Sequence, residues 1–116
     1  MLLIHPKNEK IPFTHEESGA AFVLRPLLPA DRARLMREST DEGGRFDFVK
    51  YNGLVADFAI LSWEGVGDNG QAIACTKENK LAFGENLAEI VMPDLLKRVQ
   101  EKGEFIELEI GAAKNA

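Results

Sequence analysis

Between Asp47 and Trp63 the chain carries one stripe at helical spacing, Phe48, Tyr51, Val55, Phe58 and Ser62, with Leu54 and Leu61 close beside it. Residues recurring at three- and four-residue intervals share one face of an α-helix, so the stretch predicts a long amphipathic helix with Asp47 as its N-cap. Such a helix has to bury its stripe against another element, which makes it the organising piece of a core. Gly53 lies inside it, where glycine costs about 1 kcal/mol relative to alanine. That position therefore points to close packing or a kink.

The elements available to cover this helix are short. Lys10 to His15 and Ala20 to Leu28 are rich in Ile, Phe, Val and Leu and are separated by Glu16-Glu17-Ser18-Gly19, a turn composition, so a β-hairpin is expected. Phe22, Leu24 and Pro26 alternate with Val23, Arg25 and Leu27, the period of a half-buried strand, and Pro26 marks an edge or an end. Leu28-Pro29-Ala30-Asp31 opens a helix through about Glu38, with Leu35 and Met36 inward and arginines on the other face. Ser39 to Arg45 reads as a loop.

Further along, Asp68-Asn69-Gly70 is a tight-turn sequence followed by Ala72, Ile73 and Ala74, which predicts a small hairpin or compact loop near residues 63–75. Thr76 can cap a helix carrying Leu81, Phe83, Leu87, Ile90 and Val91, interrupted by Gly84 and stopped near Pro93. A last helix is expected from Asp94 to Lys102, with Leu95, Leu96 and Val99 inward and Gly103 as its stop. Ile106, Leu108 and Ile110 then alternate with Glu107 and Glu109, the pattern of a strand.

No repeat or linker divides the chain. The expectation is a single α+β domain over residues 1–116, an N-terminal β-hairpin followed by three to four helices. Its core is predicted from Phe48, Tyr51, Val55, Phe58 and Leu61, packed by Phe22, Leu24, Leu95 and Val99.

Charge narrows the function classes. Lys and Arg number 14 against 19 Asp and Glu, a net charge of −5, which disfavours nucleic acid as a partner. Cys75 is the sole cysteine and has no internal disulfide partner. Met1-Leu2-Leu3-Ile4 is apolar but stops at His5, Pro6 and Lys7, short of a signal-peptide core or a membrane span. A soluble, cytoplasmic and unsecreted chain without a membrane association is expected.

Residues capable of chemistry are scattered. His5 and His15 lack the short-spaced partner ligands of a zinc site, so surface histidines are the favoured reading. Cys75 precedes a predicted helix N-terminus, which would activate a thiol, but only His5 or His15 could serve as its base and no family signature surrounds either, so a half-buried packing role is favoured. Asp68 would open a calcium loop only with a bidentate Glu at the twelfth position, where Asn79 stands. Gly65, Gly67 and Gly70 follow a predicted helix and precede no Gly-Lys-Ser/Thr, unlike a phosphate cradle. Arg32, Arg34 and Arg37 form either a small basic face or, as favoured beside Asp31 and Glu38, an ordinary solvated one. These residues assemble no nucleophile, base or metal set, so no enzyme, cofactor or metal is expected.

Trp63-Glu64-Gly65-Val66, followed by Asp68, Gly70, a short apolar stretch, Cys75-Thr76 and Glu78-Asn79, resembles the tail assembly chaperones of long-tailed bacteriophages and prophages. Phe22-Val23-Leu24-Arg25-Pro26-Leu27 and the helix from Pro29 to Arg37 stand in the same order as in that family, so the resemblance spans roughly residues 20–92. It implies a non-enzymatic protein of the bacterial host cytoplasm that binds the tape-measure protein and brings tail-tube protein to it during tail morphogenesis. The alternative is a virion structural component such as a minor tail or head-tail joining protein. Family members often have an extended, frameshifted form, and Ala113-Lys114-Asn115 is compatible with a slippery codon run. Trp63 is expected to cap the core beneath the Asp68 turn or, as the second reading, to bind a partner with Val66. Ile106, Leu108 and Ile110 are expected at a sheet edge, where they would capture a partner strand or mediate a homo-oligomer.

Overall fold

The computed structural model describes residues 9–87 and 90–100. Its elements run β1 (Ile11–His15), β2 (Ala20–Leu24), α1 (Pro29–Glu38), α2 (Phe48–Ala59), β3 (Ile60–Glu64), β4 (Gly67–Asp68), β5 (Gln71–Ala72) and α3 (Lys77–Asn86). A further helix, α4, covers 92–100. The chain is an α+β fold with the expected N-terminal hairpin, in which β1 pairs antiparallel with β2 and Phe13 stands opposite Phe22.

The principal departure from the sequence pattern lies at the end of the long helix. It stops at Ala59, and Ile60–Glu64 becomes a third strand, antiparallel to β2, with Trp63 opposite Phe22 and Ser62 opposite Val23. Residues 60–63 fit either period over so short a run. The outer edge of β2 decides between them, because its backbone groups need partners and a two-stranded hairpin is marginal alone. That requirement is tertiary and leaves no local mark in the sequence. The ladder shifts register between Val23 and Leu24, where β2 leaves the sheet, and the Arg25 N–H then donates to Ala59 O at 2.9 Å.

Local signals place the other boundaries. Asp47 caps α2 by accepting from the Lys50 N–H at 3.0 Å, and Thr76 caps α3 by accepting from the Asn79 N–H at 3.2 Å. Asn69 and Gly70 both adopt positive φ, 52° and 79°, the backbone of a tight hairpin turn joining β4 to β5. Gly84 does not interrupt α3. A Cβ there would collide with the Asn52 carbonyl and lie 2.7 Å from Gly53 Cα, so glycine is what lets α2 and α3 cross so closely. Gly53 is the other half of that crossing, the close packing that its position implied. The helix ends at Asn86, earlier than expected. Ile90 and Val91 instead turn back to donate to Leu87 O, leaving Ile90 exposed and Val91 buried.

The core joins Ile11, Phe22, Leu24 and Ile60 from the sheet to Leu35 of α1, Tyr51, Val55 and Ala59 of α2, Phe83 of α3, and Leu95 and Val99 of α4. Leu27 N–H donates to Val99 O at 3.2 Å, which ties α4 to the segment after β2. Three residues expected inward stand elsewhere. Phe48, Leu61 and Met36 are exposed, because α1 covers only one side of α2 and β3 turns Leu61 to the outer face. Phe58 packs against the core from a half-buried position, its outer ring face covered by the Arg25 guanidinium 3.7 Å from the centroid. Asn52 is fully buried in α2 with neither side-chain polar atom hydrogen-bonded among the described residues. The expected strand at 105–110 lies outside the described residues.

Candidate partner-binding surface

Ser39 is buried where α1 ends, and its hydroxyl donates back to Leu35 O at 2.8 Å. The loop that follows is fastened at both sides. Asp41 N–H donates to Arg45 O at 2.9 Å, Arg45 N–H donates to the Asp41 carboxylate at 2.9 Å, and Asp47 N–H donates to Ser39 O at 2.7 Å. With these bonds made, the backbone fixes where the residues flanking Asp47 point. Phe46 is 43% exposed, Phe48 57% and Val49 51%. The Phe46 ring packs edge-on against Phe48 at 6.4 Å and tilted against the buried Tyr51 at 5.4 Å. They border a groove of about 430 Å³ lined by Glu38–Asp41 and Arg45–Lys50.

Two ordered phenylalanines standing in water are costly unless something covers them, and contiguous apolar surface with a polar rim is the mark of an interaction site. The sequence pattern missed this surface because Phe48 belongs by spacing to the buried stripe of α2.

Trp63 and Val66, the expected partner-binding residues of the central motif, sit at the root of the β4–β5 hairpin. Trp63 is half-buried against Phe22 and Phe83, with ring centroids 6.5 and 5.5 Å away, and its indole N–H donates to Ile73 O at 2.9 Å. It thereby clamps the hairpin to the sheet. Val66 is half-buried and, with Ile73, Phe83 and Leu87, forms the apolar floor of a groove of about 420 Å³ between the hairpin and α3. Ile106, Leu108 and Ile110 lie outside the described residues, as does His5.

His15, Cys75 and Lys80 have their surroundings fixed by the fold. His15 is buried, contrary to the surface position expected, with Nδ1 2.7 Å from the Ser18 hydroxyl across the first turn. The turn folds back on β1 and shields the ring, an effect that two flanking glutamates concealed in the sequence. Cys75 is half-buried, and burial pushes its thiol pKa up, partly offset by the Lys80 charge. A raised pKa opposes thiolate formation. Lys80 itself, unremarked in the sequence, donates to Asp57 O at 3.0 Å and Ile60 O at 3.2 Å and pairs with the Asp57 carboxylate at 3.4 Å. It joins α3 to the negative end of the α2 dipole. Gly65 falls between β3 and the β4–β5 hairpin, Gly67 begins β4 and Gly70 lies in the hairpin turn, so the cluster follows a strand and not the helix expected. The exposed Arg34 meets the half-buried Asp31 at 4.0 Å.

Among the described residues no group of three or more His, Cys, Asp or Glu is placed to hold a metal ion, and no helix is long and apolar enough to cross a membrane. No family model matches the chain, and neither a curated protein nor a solved structure matches it.

Proposed function

We propose that this chain is a non-enzymatic binding protein that covers apolar surface on a partner, as a tail assembly chaperone of a long-tailed bacteriophage or prophage. Its partners on this reading are the tape-measure protein, whose apolar segment it shields, and the tail-tube protein. The observation that carries the reading is the cluster of Phe46, Phe48 and Val49 held in solvent by a hydrogen-bonded loop. An amphipathic helix docks on such a groove by inserting a few large side chains, and a preformed aromatic surface spends little entropy on binding. The motif from Trp63 to Asn79 and the order of elements before it supply the family resemblance that names the partners. A net charge of −5 suits a protein that must stay soluble while holding an aggregation-prone segment.

The test is co-expression with a tape-measure protein of a long-tailed phage or prophage. The full chain should keep that protein soluble and co-purify with it, and the Phe46→Ser/Phe48→Ser variant, with an unchanged thermal melt, should lose capture by about tenfold or more. The chain should also be missing from purified particles, which would retain a minor tail or head-tail joining protein. Tape-measure protein that aggregates equally with and without the chain overturns the reading.

A further inference from the structure

Four of the six arginines of this acidic chain, Arg25, Arg32, Arg34 and Arg37, fall within one short stretch that holds only Asp31 and Glu38 as acids. The structure gathers part of this charge on one ring. The Arg25 guanidinium lies 3.7 Å from the Phe58 centroid and that of Arg34 lies 5.5 Å from it. Arg25 Nε donates to Phe58 O at 2.6 Å, so this side chain is fixed by a hydrogen bond and a ring at once. Its role at the carbonyl end of α2 uses Nε and leaves the two terminal nitrogens of the fork. Arg34 and Arg37 are exposed on α1.

The basic face adjoins the aromatic groove. Glu38, next to Arg37 and one turn beyond Arg34 on α1, lines that groove, and Phe58, which Arg25 and Arg34 cover, stands two turns after Tyr51 on α2. Tyr51 in turn packs against Phe46, 5.4 Å between centroids. The groove thus begins at the end of α1, immediately after Arg37 and one turn beyond Arg34.

We infer that the arginine face of α1 selects a protein segment whose apolar face is flanked by carboxylates, with Glu or Asp side chains meeting Arg34, Arg37 and the free edge of Arg25. This deepens the proposed function and rests on it: the apolar groove holds the segment, and the arginines choose which one. Guanidinium forks match carboxylates two bonds at a time, and a side chain already stacked on a ring loses less freedom when it binds. Protein carboxylates fit better than a nucleic-acid backbone. A long polyanion meets the repulsion of the whole acidic chain, whereas a peptide samples only the field within a Debye length, about 8–10 Å.

Two labelled synthetic helical peptides with the same Leu/Phe stripe, one flanked by Glu and one by Lys, test this against the full chain, with a single-stranded oligonucleotide as a third probe. The Glu-flanked peptide should bind about tenfold tighter than the Lys-flanked one, and the preference should shrink as salt rises. It should vanish in Arg34→Glu/Arg37→Glu, two exposed positions at which the thermal melt checks folding. The salt series on the unaltered chain decides the matter if that variant fails to fold. Equal affinity for both peptides overturns the inference and leaves the apolar groove standing. Binding of neither overturns the groove reading as well, and preferential binding of the oligonucleotide replaces the carboxylate with phosphate.

Discussion

At the middle of α2, Asn52 and Gly53 meet Gly84 of α3 with no room for a methyl group between the backbones, whereas one turn earlier Phe48 and Val49 of the same helix face solvent. The two regions invert the usual assignment of residue types: glycine and asparagine occupy the tightest contact, and phenylalanine lies outside. Among the described residues, close packing along α2 toward its N-terminus ends at Tyr51. Toward α3 the molecule has optimised approach, at the cost of an Asn52 amide without hydrogen-bonding partners among the described residues. Toward the loop before α2 it has spent hydrogen bonds on presenting apolar side chains that nothing among the described residues covers.

The contrast can be tested from its stiffest point outward. Phe22 is buried between Phe13, Trp63 and Phe83, and Phe22→Ala should cost about 3–5 kcal/mol in urea-induced unfolding. A smaller loss would mean that the sheet and α3 are not packed as one body. Gly84→Ala comes next. Alanine gains helix propensity, but its Cβ would press on backbone atoms of α2, so a net loss of about 1–3 kcal/mol is expected. Gly53→Ala should cost less, because the nearest obstacle, at 2.9 Å, is the flexible Glu85 side chain. Equal stabilities for wild type and Gly84→Ala would remove the close crossing.

On the open side, Phe48→Ser should change stability by no more than about 0.5 kcal/mol while lowering partner capture. A large loss of stability would put Phe48 in the core after all. The smallest effect belongs to Tyr51, on the border between the regions. Its phenol has a pKa raised above 10.0 by burial, so the folded state prefers the neutral form. The associated stability is fully present below pH 10.0 and falls as pH rises through the raised folded value. Melts of Tyr51→Phe should lose less stability over that alkaline range than those of the unaltered chain.

Capping and turn chemistry were the most legible parts of the fold, because Asp47, Thr76 and Asn69-Gly70 act on backbone groups only a few residues away. The hairpin and the inward Leu24, Val55, Leu95 and Val99 were legible from period alone. What periodicity lacks is the identity of the neighbour. It read Ile60 to Trp63 as helix because the free edge of β2 is remote in sequence, and it placed Phe48 and Leu61 in the core because a stripe looks the same whether the chain covers it or leaves it open. The aromatic surface was hidden for that same reason. Trp63 and Val66 were singled out by motif, and the reason for Trp63 became visible only when Ile73 O was found receiving its N–H.

The union of α2 and β3 has a mechanical side. Ala59 and Ile60 are adjacent, the last of a helix and the first of a strand, and Arg25 grips the carbonyls of both Phe58 and Ala59 from β2's continuation. No slack residue exists to absorb motion between them. A pull on α2 along its axis is therefore a shear on the sheet, and because a one-residue slip would turn every β3 side chain to the opposite face, the joint resists small displacements and yields only as a whole. Helix and strand amides should accordingly exchange with solvent as one cooperative unit. A load applied at the aromatic end of α2 reaches the sheet through a rod, without passing through a spring.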